Sequence, residues 1–141
     1  MIILDTNVIS ACMKSGKNSA VMNWLNQQPP ESVWTTVITI YELRYGVETI
    51  LAPDHKRRLE ETLEAALIAI FDGRILVFDF AAAQEAAKLA AERRLRNRSV
   101  EIRDTQIAGI VRARKAMLAT RNTRDFVDAG IPLVDPWTAG A

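Results

Sequence analysis

Met1-Ile2-Ile3-Leu4-Asp5-Thr6-Asn7 is an apolar run that stops abruptly at a carboxylate, a hydroxyl and an amide. Three consecutive apolar residues without polar alternation fit a strand covered on both faces, as in a parallel sheet. Asp5 then stands at the carboxyl end of that strand, where open α/β sheets form their ligand crevices. Two readings are open: Asp5 is a site residue, or Asp5 or Thr6 merely caps the helix expected over Val8 to Met13.

Beyond this stretch, short apolar segments keep alternating with helical patterns. Ser15-Gly16-Lys17-Asn18 reads as a turn. A helix is expected from Ser19 to Gln28, stopped by Pro29-Pro30, and a strand at Val33-Trp34-Thr35. Ile40, Leu43, Val47 and Ile50 form the apolar stripe of a helix from about Val37 to Leu51. Pro53-Asp54 opens a long amphipathic helix to about Phe71, with Leu59, Leu63, Ala66, Leu67 and Ile70 inward. Ile75 to Phe78 is the next strand, and Asp79 caps an alanine-rich helix from Phe80 to about Leu95, whose small side chains admit a close neighbour. A helix from about Glu101 to Lys115, a strand at Met117 to Thr120, a loop with one helical turn from Arg121 to Gly130 and a last strand at Pro132 to Val134 complete the pattern. Such alternation predicts an α/β fold, a short parallel sheet with helices on both faces joined by right-handed crossovers. The 141 residues suit a single domain over 1–141, with 138–141 as a flexible tail.

Composition narrows the chemistry. Cys12 is the only cysteine and His55 the only histidine, which leaves almost nothing for thiolate clusters, imidazole metal sites or His-activated nucleophiles. No apolar stretch approaches the roughly 20 residues that span a bilayer, and no basic-flanked leader precedes Asp5, so a soluble, cytoplasmic protein without membrane contact is expected. Catalysis, if any, rests on carboxylates with a hard cation.

Candidate carboxylates recur after strands. Glu42 follows Val33-Trp34-Thr35; either Thr39 caps a helix and Glu42 answers it in a capping box, or Thr36 is the cap and Glu42 stands free in the second turn. Asp104 heads an apolar stripe with Ile107, Ala108 and Val111, a costly orientation for an acid that is neither paired nor bound to metal. Asn122 and Asp125 follow the Met117 strand, where they read as a cap or as site residues. Gathered at one sheet end, Asp5, Glu42, Asp104 and Asn122 or Asp125 would repel one another; Mg²⁺ or Mn²⁺ resolves this and can activate water for phosphoryl displacement. Ten of the eighteen basic residues lie between Arg93 and Arg124, beside Glu101 and Asp104 as the only acids there, which favours a polyanionic nucleic acid over a small ester.

Four segments carry a family resemblance: Ile3-Leu4-Asp5-Thr6-Asn7-Val8-Ile9, Ile40-Tyr41-Glu42-Leu43-Arg44-Tyr45-Gly46, Arg103-Asp104-Thr105-Gln106-Ile107-Ala108 and Ala119-Thr120-Arg121-Asn122-Thr123-Arg124-Asp125-Phe126. In this order and spacing, over nearly the whole chain, they resemble the PIN-domain nucleases, in particular the VapC and FitB-like toxins of bacterial toxin–antitoxin pairs. The resemblance implies a three-layer α/β/α domain and an endoribonuclease dependent on Mg²⁺ or Mn²⁺. Asp5, Glu42 and Asp104 take the places of the family's metal-binding acids. Some relatives carry an aspartate where this chain has Asn122, so either Asn122 or Asp125 completes the site. Thr6 and Thr120 look like hydroxyls that orient the acids, and Arg103, Arg121 and Arg124 are expected to hold RNA. A homodimer and a cognate antitoxin that blocks the site are implied as well. Two other readings remain open: a catalytically silent module that binds RNA or a partner, and a phosphatase with Asp5 as nucleophile. The phosphatase lacks a second aspartate two residues on, where Asn7 stands.

Overall fold

Ile3 and Leu4 are neighbours and both fully buried, yet they belong to different cores. Ile3 packs with Leu89, Ile107, Ile110 and Leu118, whereas Leu4 packs with Val8, Trp24, Leu43 and Leu63. That division follows from the alternation of side chains along a strand, and it identifies Ile2–Leu4 as the two-sided centre of the molecule. The computed structural model describes residues 1–14 and 19–140. The turn expected at 15–18 lies outside the described residues.

Five strands, β1 (Ile2–Leu4), β2 (Val33–Thr36), β3 (Ile75–Leu76), β4 (Met117–Ala119) and β5 (Leu133–Val134), form one sheet in the order β3-β2-β1-β4-β5. All pairings are parallel. Helices α1 (Thr6–Met13), α2 (Ser19–Asn26), α3 (Val37–Glu48) and α4 (Pro53–Phe71) cover the Leu4 face; α5 (Phe80–Leu95) and α6 (Ile102–Arg114) cover the Ile3 face. The expected α/β/α layering is therefore present. The first connections run from β1 towards β3, and the chain then crosses back to place β4 and β5 on the other side of β1. The crevice beyond the carboxyl ends of β1 and β4 is thus the switch point of the sheet, the place where such folds bind ligands.

Element boundaries differ from expectation in ways that have local causes. Helix α1 begins two residues earlier, at Thr6, because Asp5 itself is the N-cap and its carboxylate accepts the Thr6 N–H. Strand β3 stops at Leu76, opposite the last residue of β2, so Val77 and Phe78 have no ladder to continue. Helix α3 ends at Glu48, where the Thr49 N–H returns to the Tyr45 carbonyl. Ile50 and Leu51 fall outside it, and Leu51 is almost wholly exposed. Thr138 and Ala139 are held in a turn by the Asp135 carbonyl, and Ala141 lies outside the described residues.

The small side chains of α5 do admit a close neighbour. A Cβ on Gly109 of α6 would lie 2.6 Å from the Ala82 carbonyl oxygen and 2.7 Å from the Ala86 Cβ. Only glycine allows this approach, which brings the first turn of α6 down beside the switch point. Among the described residues, no helix is long and apolar enough to cross a membrane.

Candidate active site

Asp5 stands one residue past β1 and is 4% exposed. Its backbone N–H donates to the Ala119 carbonyl of β4 at 3.0 Å, which locks it between the two central strands. Three donors reach the carboxylate. Oδ1 accepts the Thr6 N–H at 2.8 Å; Oδ2 accepts the Thr120 hydroxyl at 2.8 Å and the Asn7 amide at 3.4 Å. Burial raises its pKa, and these donors pull the other way. Capping and site geometry are therefore not alternatives for Asp5, since one oxygen caps α1 while the other faces Thr120.

Thr36 caps α3 by accepting the Thr39 N–H at 3.1 Å, so the capping box between Thr39 and Glu42 does not form. Glu42 is left in the second turn, half-buried, and its Oε1 accepts the Thr6 hydroxyl at 3.0 Å. Burial first, then the Asp5 charge, raise its pKa against the pull of Thr6 and Arg103. Asp104 lies in the first turn of α6, whose N-cap is Glu101. Burial, followed by the charges of Asp5, Asp125, Glu42 and Glu101, pushes its pKa up to about 7.

Asp5, Glu42 and Asp104, from three distant segments, line one cavity of about 530 Å³ together with Lys14, Arg121 and Asn122. Asn122 is exposed, and its N–H donates to the Thr120 hydroxyl at 3.0 Å while its side chain caps nothing. Asp125 does not line the cavity, although its charge is felt by Asp5 and Asp104. Of that pair, Asn122 is the residue in the wall. Of the two hydroxyls, Thr6 donates to Glu42 and Thr120 to Asp5.

The arginines divide. Arg121 lines the cavity, with its guanidinium 4.9 Å from the centre of the Trp137 ring. Arg103 lies outside it, bonded to Glu101 at 2.9 Å and 5.9 Å from the Tyr41 ring centre; Arg124 also lies outside it. The basic run as a whole is not a free cationic face. Arg93 is buried against Asp128, Arg112 pairs with Glu85 and Arg114 with Asp79. Sequence reasoning passed over Asn7, which donates to Asp5 and Thr120 and accepts the Arg121 N–H at 3.1 Å. Its adjacency to Asp5-Thr6 was the available signal. Lys14 and Trp137 were also missed, and no local motif marks either. Burial pushes the Cys12 thiol up to about 11, so it is no nucleophile at neutral pH.

Donor chemistry and charge fit a hard divalent cation: three carboxylates with raised pKa values, two of them already oriented by hydroxyls, and no sulfur or imidazole among the described residues of the wall. Among the described residues no three acidic, His or Cys side chains are already gathered into a ligand cage. The fit is one of donor type rather than of preformed coordination.

The same charges make a stability prediction for metal-free protein. Between about pH 4 and pH 7 the unfolded chain has lost the Asp104 proton while the folded chain retains it, so stability falls as pH rises through that window. Asp104→Asn removes the titration. In EDTA, its melting temperature relative to the parent is expected to climb from about pH 4 to pH 7 and then level off. A difference that stays constant across this range would refute the assignment.

The family model described as PIN domain matches residues 2–131. VapC ribonuclease Y4jK of Sinorhizobium fredii is 34% identical over 137 residues, covering 97% of this chain and 98% of its own. Toxin FitB of Neisseria gonorrhoeae is 35% identical over 137 residues, covering 97% and 99%. The crystal structure of FitAcB from Neisseria gonorrhoeae superposes with a TM-score of 0.88 at 35% identity, over 98% of this chain and 99% of that one.

Proposed function

The chain belongs to the PIN domain family, and from that premise we propose that it is a Mg²⁺- or Mn²⁺-dependent endoribonuclease acting as the toxin of a toxin–antitoxin pair. The observation that carries this reading is the convergence of Asp5, Glu42 and Asp104 on one cavity, with the pKa of each raised by burial and by the charges of other acids. The ribonuclease and toxin relatives support the substrate and the biological role.

In this reading Asp5, Glu42 and Asp104 hold the cation. When bound, it supplies Lewis-acid stabilisation of phosphodiester oxygens and lowers the pKa of water. Thr120 and Asn7 fix the Asp5 carboxylate, and Thr6 fixes Glu42 while its own N–H holds the other Asp5 oxygen. Asp104, in the cavity wall, would give one oxygen to the cation and leave the other to orient a water. Asn122 offers a neutral amide at the cavity wall, and Arg121, stacked on Trp137, steadies a substrate phosphate. Homodimerisation and inhibition by a cognate antitoxin accompany the family resemblance and belong to the same proposal.

The test is incubation with a mixed RNA pool. Cleavage is expected with Mg²⁺ or Mn²⁺ and is expected to vanish in EDTA. Cleavage that persists in EDTA would overturn the mechanism; binding without cleavage under all metal conditions would favour the silent-module reading.

A further inference from the structure

A second cavity, of about 450 Å³, lies between the end of α5 and the start of α6. Its wall includes Arg93, Arg94, Asn97, Arg98, Ser99 and Thr105, and no carboxylate lines it. The chain builds this wall by ending α5 in a left-handed turn. Asn97 has φ 53°, its N–H donates to the Arg94 carbonyl, and the Arg98 N–H donates back to the Arg93 carbonyl at 2.8 Å. That closure folds Arg98 over the helix end beside Arg93.

Charge in the pocket is unbalanced. Asp128 is the acid that serves both guanidiniums: Arg93 takes both of its oxygens, at 2.9 and 3.0 Å. Arg98 Nη2 donates to the Arg124 carbonyl at 2.7 Å, while its buried Nε, 3.3 Å from Asp128 Oδ2, makes no hydrogen bond. Arg94 is exposed and makes no ion pair among the described residues. Two guanidiniums thus remain without a full counter-charge, in a concave site with the Asn97 side chain and Ser99 as neutral partners.

The pocket and the acid cavity flank the first turn of α6, with Asp104 lining one and Ile102 and Thr105 the other. Thr105 in its wall directly follows Asp104, and Arg93 donates to the Asp125 carbonyl at 2.9 Å. Only the first turn of α6 separates the two. Resting on the nuclease reading above, we propose that this pocket binds a backbone phosphate of the RNA strand, displaced from the scissile one, through Arg94 and Arg98. Guanidinium forks match phosphate oxygens, and a phosphate supplies the anion the pocket lacks.

The test measures binding of a fluorescently labelled unpaired RNA oligonucleotide to Asp5→Asn protein by anisotropy, across a series of salt concentrations. Every phosphate no longer neutralised by a guanidinium should reduce the slope of log K against log salt by about 0.7. Adding Arg94→Ala or Arg98→Gln is expected to flatten the slope by about that amount each, whereas Arg58→Ala on exposed α4 should not. Because Arg94 is exposed, its variant keeps the fold even if Arg98→Gln does not. Slopes unchanged by Arg94→Ala overturn the pocket, and if the parent protein cleaves RNA they leave the nuclease reading standing. Reduced slopes in a chain that cleaves nothing uphold the pocket and remove the nuclease reading. Absence of RNA binding overturns both.

Discussion

Asp5→Asn is expected to lower RNA cleavage by at least about 100-fold, more than the 10- to 100-fold typical when only an outer partner of a metal ligand is removed. The substitution keeps size and shape but removes the charge at the centre of the cavity. An asparagine oxygen can still accept the Thr6 N–H and cap α1. Its amide nitrogen then faces the Thr120 hydroxyl and the Asn7 amide, so those two donors lose their acceptor, a cost set against removal of a buried charge. Metal-free Asp5 is destabilised by burial beside other acids, so the variant is expected to melt no lower than the parent in EDTA. Activity measured with Mn²⁺, paired with a melting curve, separates the two effects. Wild-type cleavage rates in Asp5→Asn would exclude Asp5 as the anchor of the site, and a large drop in melting temperature would show that its role is structural.

The parts of this molecule visible in the sequence share one property, which is that local pattern and tertiary demand agree. Ile2-Ile3-Leu4 is apolar because it is covered twice, and Asp104 heads an apolar stripe because that side of α6 packs on the Ile3 core while its first turn opens into the cavity. The alternatives left open at Glu42 were settled by a backbone detail, the choice of Thr36 over Thr39 as cap, which depends on where β2 ends. Asp5 shows why either-or readings fail at strand ends: its two oxygens serve different partners, and spacing cannot reveal that. Lys14 and Trp137 reach the cavity only because the end of α1 and the segment after β5 meet there, a long-range fact absent from any window of sequence. The basic run divides for a related reason, with Arg93 buried and Arg94 exposed. Charge counts cannot distinguish an arginine at the surface from one folded under a helix end.

Arg93 is that buried arginine, and its removal is expected to cost about 3–5 kcal/mol of stability, as breaking a buried ion pair does. It is 3% exposed, and its guanidinium joins three segments: its own helix α5, the loop of Asp128 and the Asp125 carbonyl, and Thr105 of α6. Arg93→Ala leaves the Asp128 carboxylate with only Arg98 nearby and strips the buried partner from the Thr105 hydroxyl. Lysine keeps the charge but cannot reproduce the bidentate fork, so Arg93→Lys should fall between parent and alanine. The Arg93 guanidinium holds Asp128 below the ordinary carboxylate range. A lowered folded-state pKa stabilises above the unfolded value of about 3.9, and that stabilisation disappears as pH falls through the folded one. The gap between parent and Arg93→Ala should therefore be full near neutral pH and narrow below about pH 4. Urea unfolding at several pH values measures this directly. Arg93→Met with Asp128→Leu should recover part of the loss, because it removes the unpaired carboxylate but leaves Arg98 without its ion pair. If Arg93→Ala unfolds at the parental urea concentration, the guanidinium does not hold the Asp125 loop and the start of α6 together, and the site's geometry must come from the sheet alone.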